Sequence, residues 1–111
     1  MYGFGSVDDR GRVADLVTPR AMGWSPGTRL EISAHGELIV IQARADGVIC
    51  LTGRGHLRLP TPVRRWCGLV AGDRVLLAAD PEAGRLVVHP PAVLDRLITR
   101  AQAGLADGGA A

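Results

Sequence analysis

Hydrophobic and polar positions alternate in short runs, broken by glycine-bearing turns. In "RLEIS" (29–33) Leu30 and Ile32 share one face while Arg29, Glu31 and Ser33 share the other, the period of a half-buried strand. "HLRLP" (56–60) alternates in the same way, with Leu57 and Leu59 on one side and His56 and Arg58 on the other. "RVLLA" (74–78) is more apolar, and "ELIVIQ" (37–42) and "RLVVHP" (85–90) are nearly continuous aliphatic runs, which predicts strands covered on both faces. Further strands are predicted over 2–7, 12–17 and 47–52, with a short helical turn before each of the glycine turns "WSPGT" and "LVAGD". The class is mainly β.

These elements come twice, in one order. When 10–42 is laid over 54–90, Arg10-Gly11 falls on Arg54-Gly55, and Arg20, Gly23, Gly27 and Arg29 fall on Arg65, Gly68, Gly72 and Arg74. After the insertion Pro81-Glu82-Ala83, Gly36, Leu38 and Val40 fall on Gly84, Leu86 and Val88. The chain therefore divides into a first half-domain (1–46), a second (47–90) and a tail (91–111). A unit of about 45 residues is too small to bury its own core, and its sheet edges would stay open. Two interlocked halves in one pseudo-twofold β-barrel solve both problems. Interlocking within one chain predicts a stable monomeric unit; swapping between chains predicts an obligate dimer.

The tail is of another kind. Prolines open it, and Leu94, Leu97, Ile98, Ala101 and Leu105 recur at helical spacing opposite Asp95, Arg96, Thr99 and Arg100. An amphipathic helix packed on its own barrel is the expectation, with a frayed end at "DGGAA". The sharper alternative is a helix that makes a homodimer or higher oligomer, or binds a protein partner.

Composition adds charge to this picture. Among 111 residues the formal net charge is only +2, but no acidic residue lies between Asp46 and Asp73, where four arginines fall. There is no lysine, as a GC-rich coding sequence would give, and arginine's planar fork suits phosphates and guanine edges. Cys50 and Cys67 have neither CxxC spacing nor further partners, so they are expected as small buried hydrophobes rather than a disulfide or zinc site. The start of the chain lacks the pattern of a signal peptide, and no apolar run is long enough to cross a membrane. A cytoplasmic protein is expected. His35, His56 and His89 are scattered, and no nucleophile–base pair or phosphate-binding glycine loop stands out. An enzyme is not expected, nor any cofactor or metal.

The order V-D-x-x-G-R-V … R … G-W-x-P-G-T-x-L-E-I … G-x-L-I-V in the first half resembles the AbrB/SpoVT/MazE swapped-hairpin DNA-binding domains, and "GHLRLPTPVRRWCGLVAGDRV" in the second half resembles the same motif. The matches run from Val7 to Pro90, and the layout resembles the tandem two-half-domain members of high-GC actinobacteria. The resemblance implies two interlocked hairpin units and a nucleoid-associated transcriptional regulator, with arginines of the strand-turn and short-helix region on the DNA. The family's Gly-Arg falls on Gly11-Arg12, and His56 replaces that arginine in the second half, flanked by Arg54 and Arg58. The family's Arg-Arg pair falls on Arg64-Arg65; in the first half only Arg20 remains, beside Ala21. Unequal contacts by the two halves follow.

The residues support this independently. If Leu57 and Leu59 point into a core, His56 and Arg58 must point out, close to Arg54, Arg64 and Arg65. Arg10, Arg12 and Arg20 hold the corresponding places in the first half. Such a surface can straddle a groove of double-stranded DNA, neutralise phosphates and release counterions. Arg29, Arg44, Arg74, Arg85, Arg96 and Arg100 are expected as solvated surface charges. Asp8 and Asp9 weaken the local field and are placed to orient Arg10 or Arg12 through a salt bridge. Trp24 and Trp66 are expected to pack. The alternative function is an antitoxin that binds DNA by the barrel and a toxin by its tail.

Overall fold

A computed structural model describes residues 1–109 of the chain. Its strands are β1 (Tyr2–Ser6), β2 (Arg29–His35), β3 (Leu38–Ala43), β4 (Ile49–Cys50), β5 (Arg74–Asp80) and β6 (Arg85–His89). Three helices complete it: α1 (Val17–Ala21), α2 (Thr61–Trp66) and α3 (Pro91–Gly109). The six strands form one antiparallel sheet, in the order β1-β5-β6-β3-β2-β4, curled into a half-barrel.

That order places each early strand beside a strand from the other half of the chain. β1 pairs with β5, β4 pairs with β2, and β3 and β6 meet at the centre, Val40 opposite Val87. Equivalent hydrogen bonds close both crossings: Val7 N–H donates to Asp73 O (2.8 Å) and Gly72 N–H to Val7 O (2.7 Å), as Leu51 N–H donates to Thr28 O (2.9 Å) and Gly27 N–H to Leu51 O (2.9 Å). All these bonds lie within a single chain.

With few aromatics, aliphatic side chains fill the interior. Leu30, Ile39, Ile41, Leu57, Leu59, Val75, Leu77, Leu86 and Val88 are fully buried in one cluster, with Trp24 at its margin. The aliphatic runs of β3 and β6 nevertheless bury only alternate residues. Leu38, Val40 and Val87 on the outer face are half-buried, because the core lies on one side of the curl only. In β1 the alternation Tyr2-Gly3-Phe4-Gly5 has a steric cause: the segment 13–18 lies directly on the strand, and a Cβ at Gly5 would stand 2.8 Å from Val13 Cγ1. The two aromatics point away and are exposed.

Three predicted strands are shorter than the pattern suggested. The segments 12–17 and 56–60 make only isolated bridges, Val7–Val13 and Arg12–Arg58. The first is diverted into α1 by Asp15, whose Oδ1 accepts the amides of Val17 (2.9 Å) and Thr18 (3.1 Å). The second ends at Pro60, which has no N–H to give a ladder and opens α2. β4 spans two residues because the preceding turn closes on itself, Gly47 N–H to Arg44 O at 2.9 Å, with Gly47 seated against the Leu30 backbone.

The helix α3 departs from expectation in its packing. Only its base rests on the barrel, where Pro91 and Leu94 line a groove with Phe4 and Arg74. Leu97 and Ile98 remain 49% and 46% exposed and Leu105 75%. Residues 107–109, expected as a frayed end, continue the helix; 110 and 111 lie outside the described residues. Among the described residues no helix is long and apolar enough to cross a membrane.

Candidate nucleic-acid interface

Two glycine turns, one from each half, build the basic surface. In the first, Asp8 Oδ1 accepts the amides of Arg10 (2.9 Å) and Arg12 (2.8 Å), and its Oδ2 accepts Arg12 Nε at 2.6 Å. In the second, Thr52 Oγ1 accepts the His56 amide at 2.9 Å, the same turn without the charge. Gly11 and Gly55 supply the left-handed backbone each turn needs, at φ 85° and 86°.

The turns are brought together by the Arg12–Arg58 bridge. Val13 N–H donates to Leu57 O and Leu59 N–H to Gly11 O, both at 2.8 Å. Arg12 and Arg58 therefore form the non-hydrogen-bonded pair, the arrangement that brings opposite side chains closest. Leu57 and Leu59 are buried to either side, which turns His56 and Arg58 outward. Arg58 Nε also donates to Arg10 O at 3.0 Å, tying one turn to the other. The result is a shallow concave surface lined by Arg10, Arg12, Thr52, Gly53, Arg54, His56 and Arg58.

Five of the eight basic residues singled out in the sequence thus share one surface. Arg64 is placed differently: its guanidinium donates to Leu59 O (3.0 Å), Thr61 Oγ1 (2.9 Å) and Asp9 O (3.4 Å), clamping α2 to the 8–11 turn. Gly11 makes room for it, since a Cβ there would lie 2.7 Å from Arg64 Nε. Arg20 and Arg65 are exposed at the ends of α1 and α2, outside the lining of the concave surface.

Asp8 is the acid closest to this group. Partial desolvation pushes its carboxyl up, but the Arg12 amide and guanidinium and the Arg10 amide outweigh that and hold it below the usual carboxylate range. The Asp8–Arg12 ion pair anticipated in the sequence is present. Elsewhere Arg44 pairs with Glu31 and Asp46, and Arg96 with Glu37, so these two arginines are engaged rather than simply solvated.

No protein-family model, curated protein or solved structure matches the chain.

Three side chains contradict the sequence expectations. Trp24 packs, at 7% exposed, but Trp66 is 72% exposed and donates Nε1–H to Gly36 O at 3.1 Å. It ends a short helix whose inward face is already taken by Val63 and Cys67. Cys50 is exposed, on a two-residue edge strand, and Cys67 is half-buried, where burial pushes its thiol pKa up. The sequence reading missed Thr52, whose only signal was its place opposite Asp8 in the repeat.

Proposed function

We propose that this chain is a DNA-binding transcriptional regulator, acting at the nucleoid in the cytoplasm, whose Arg10, Arg12, Arg54, His56 and Arg58 face the phosphates of duplex DNA. One observation carries the reading: two turns from opposite halves hold Arg12 and Arg58 directly opposite each other, with Arg10, Arg54 and His56 around them. Like charges in that position oppose folding. A polyanion relieves the repulsion, and an open, shallow surface suits a backbone of repeated phosphates better than one small enclosed anion. The strand crossings between halves are also what an AbrB/SpoVT/MazE-type swapped-hairpin barrel requires, which supports that assignment. In this reading Arg20 and Arg65 extend the contact from the short helices, and Arg64 positions the first turn.

The test is fluorescence anisotropy with the chain's own upstream DNA and a scrambled duplex across salt concentrations. Preference for the upstream duplex, with a log–log salt slope of about −4.5 for about five phosphate contacts, is the expected result. An Arg54→Ala/Arg58→Ala double variant should keep its fold and lose most of the affinity. No binding to either duplex at low salt would sink the proposal.

The exposed apolar stripe of α3 favours a second reading, an antitoxin whose tail carries a toxin. A small toxin-like reading frame beside the gene, whose product co-purifies with the chain, is its test.

A further inference from the structure

The guanidiniums of the basic surface are not held alike. Asp8 Oδ1 accepts the Arg10 and Arg12 amides, which fixes its carboxylate, and Oδ2 then accepts Arg12 Nε–H at 2.6 Å. Among the described residues the two terminal nitrogens of Arg12 make no hydrogen bond, and its side chain is 42% exposed. The end of the fork is therefore open and already oriented. Arg58 is held through Nε as well, but by the neutral Arg10 carbonyl, so no carboxylate offsets its charge. Arg10 and Arg54 are exposed, and among the described residues their side chains make no hydrogen bond.

A phosphate is a poor match for Arg12. An anion at the open end meets the Asp8 carboxylate behind the same guanidinium, and the pair as a whole carries no net charge. A neutral pair of acceptors suffers no such repulsion. Guanine offers one in the major groove, O6 beside N7, matched to an arginine fork. The position fits too. Arg12 lies on the bridge to Arg58, between the two turns, and a two-stranded ribbon of this kind enters the major groove with its middle on the base edges. Arg10 and Arg54 stand in the flanking turns, on the sides where a groove has its phosphate walls.

We infer that Arg12 is the specificity-determining residue of this surface, reading one guanine in the major groove through its terminal nitrogens, with Asp8 as its positioning residue. The inference rests on the DNA reading above and refines it at this one residue; Arg10, Arg54 and Arg58 stay on phosphates. Because Asp8 has already ordered the side chain, the contact loses little further conformational freedom on binding. The second half holds no equivalent reader. His56 takes the place of Arg12 and Thr52 that of Asp8, and among the described residues Thr52 Oγ1 accepts the His56 amide alone. One chain therefore fixes one guanine, on one side of its site.

The test uses the full chain and its own upstream duplex. Dimethyl sulfate interference finds the guanine whose N7 must stay free, and 7-deazaguanine placed there removes that acceptor while leaving the base pair intact. By anisotropy, wild type should lose affinity about tenfold on the substituted duplex. Arg12→Lys keeps the charge and loses the fork. Its preference for the upstream over the scrambled duplex should fall about tenfold, and its affinity for the scrambled duplex should stay within about twofold. On this variant 7-deazaguanine should have no further effect, the coupling expected of two groups in contact. Asp8→Asn should lose part of the same preference, because the amide has no second oxygen for Nε, whereas Arg58→Lys should keep it. Equal binding of wild type to both duplexes, a preference indifferent to every guanine N7, one that survives Arg12→Lys, or an equal loss in Arg58→Lys overturns the inference and leaves the DNA reading standing. No binding to either duplex overturns both.

Discussion

Arg12 and Arg58 stand directly opposite each other across a single antiparallel bridge, one from each half of the chain. Each has an outlet for part of its charge: Arg12 pairs with Asp8 at 2.6 Å, and Arg58 donates to Arg10 O at 3.0 Å. Opposed like charges cost roughly 0.2–1 kcal/mol in a sheet. A position kept basic against that cost is where a trade between stability and binding should be measurable. Arg58→Gln retains a donor for the Arg10 carbonyl but removes the charge. The expected outcome is an unchanged or slightly raised melting temperature, with DNA affinity reduced about tenfold and a salt slope shallower by about one. Thermal melts and anisotropy on one preparation check both arms.

Asp8→Asn separates the turn from its charge. The amide oxygen still accepts the Arg10 and Arg12 amides, as Thr52 does for His56 in the other turn. Binding to DNA should tighten, most at low salt, because the one carboxylate closest to the basic surface is gone. The pH dependence has a definite sign. The folded pKa of Asp8 is lowered from 3.8, so its contribution to stability is present above the unfolded value and is lost as pH falls through the folded one. Wild type should therefore be the more stable protein near neutrality, and the two acid-denaturation curves should converge below about pH 4.

Arg64 and Arg65 are neighbours with different work. Arg64→Ala removes donors to the carbonyls of Leu59 and Asp9 and should cost about 1–2 kcal/mol in urea denaturation. Arg65→Ala should change stability by less than about 0.5 kcal/mol and lower DNA affinity only. Equal effects of the two on stability would refute the clamp assigned to Arg64.

Gly11 and Gly23 test the turn geometry in the same way. Both have positive φ, 85° and 77°. A Cβ at Gly23 meets open space, whereas one at Gly11 meets the Leu59 carbonyl and Arg64. Gly23→Ala should cost about 1 kcal/mol for the backbone alone. Gly11→Ala should cost about 1–3 kcal/mol more, the contact penalty typical of overpacking, and should weaken DNA binding as the first turn shifts. Chemical denaturation of both variants beside wild type decides it.

Local pattern determined much of this protein. The alternation at 56–60 correctly turned Leu57 and Leu59 inward and His56 and Arg58 outward, because the period of two belongs to the backbone itself. The repeated glycine spacings likewise marked the two turns that carry Arg10, Arg12 and Arg54. What the sequence left undecided is who stands opposite whom. The Arg12–Arg58 pairing, the return of Arg64 to the Asp9 carbonyl, the Trp66 bond to Gly36 and the Arg96–Glu37 ion pair all depend on partners far away in the chain. Segments 12–17 and 56–60 had the alternation of strands, yet Asp15 and Pro60 ended them early by competing for, or lacking, backbone hydrogen bonds. Propensity and periodicity act over a few residues. Long-range hydrogen bonds and ion pairs exist only once the sheet has closed, and they placed these side chains.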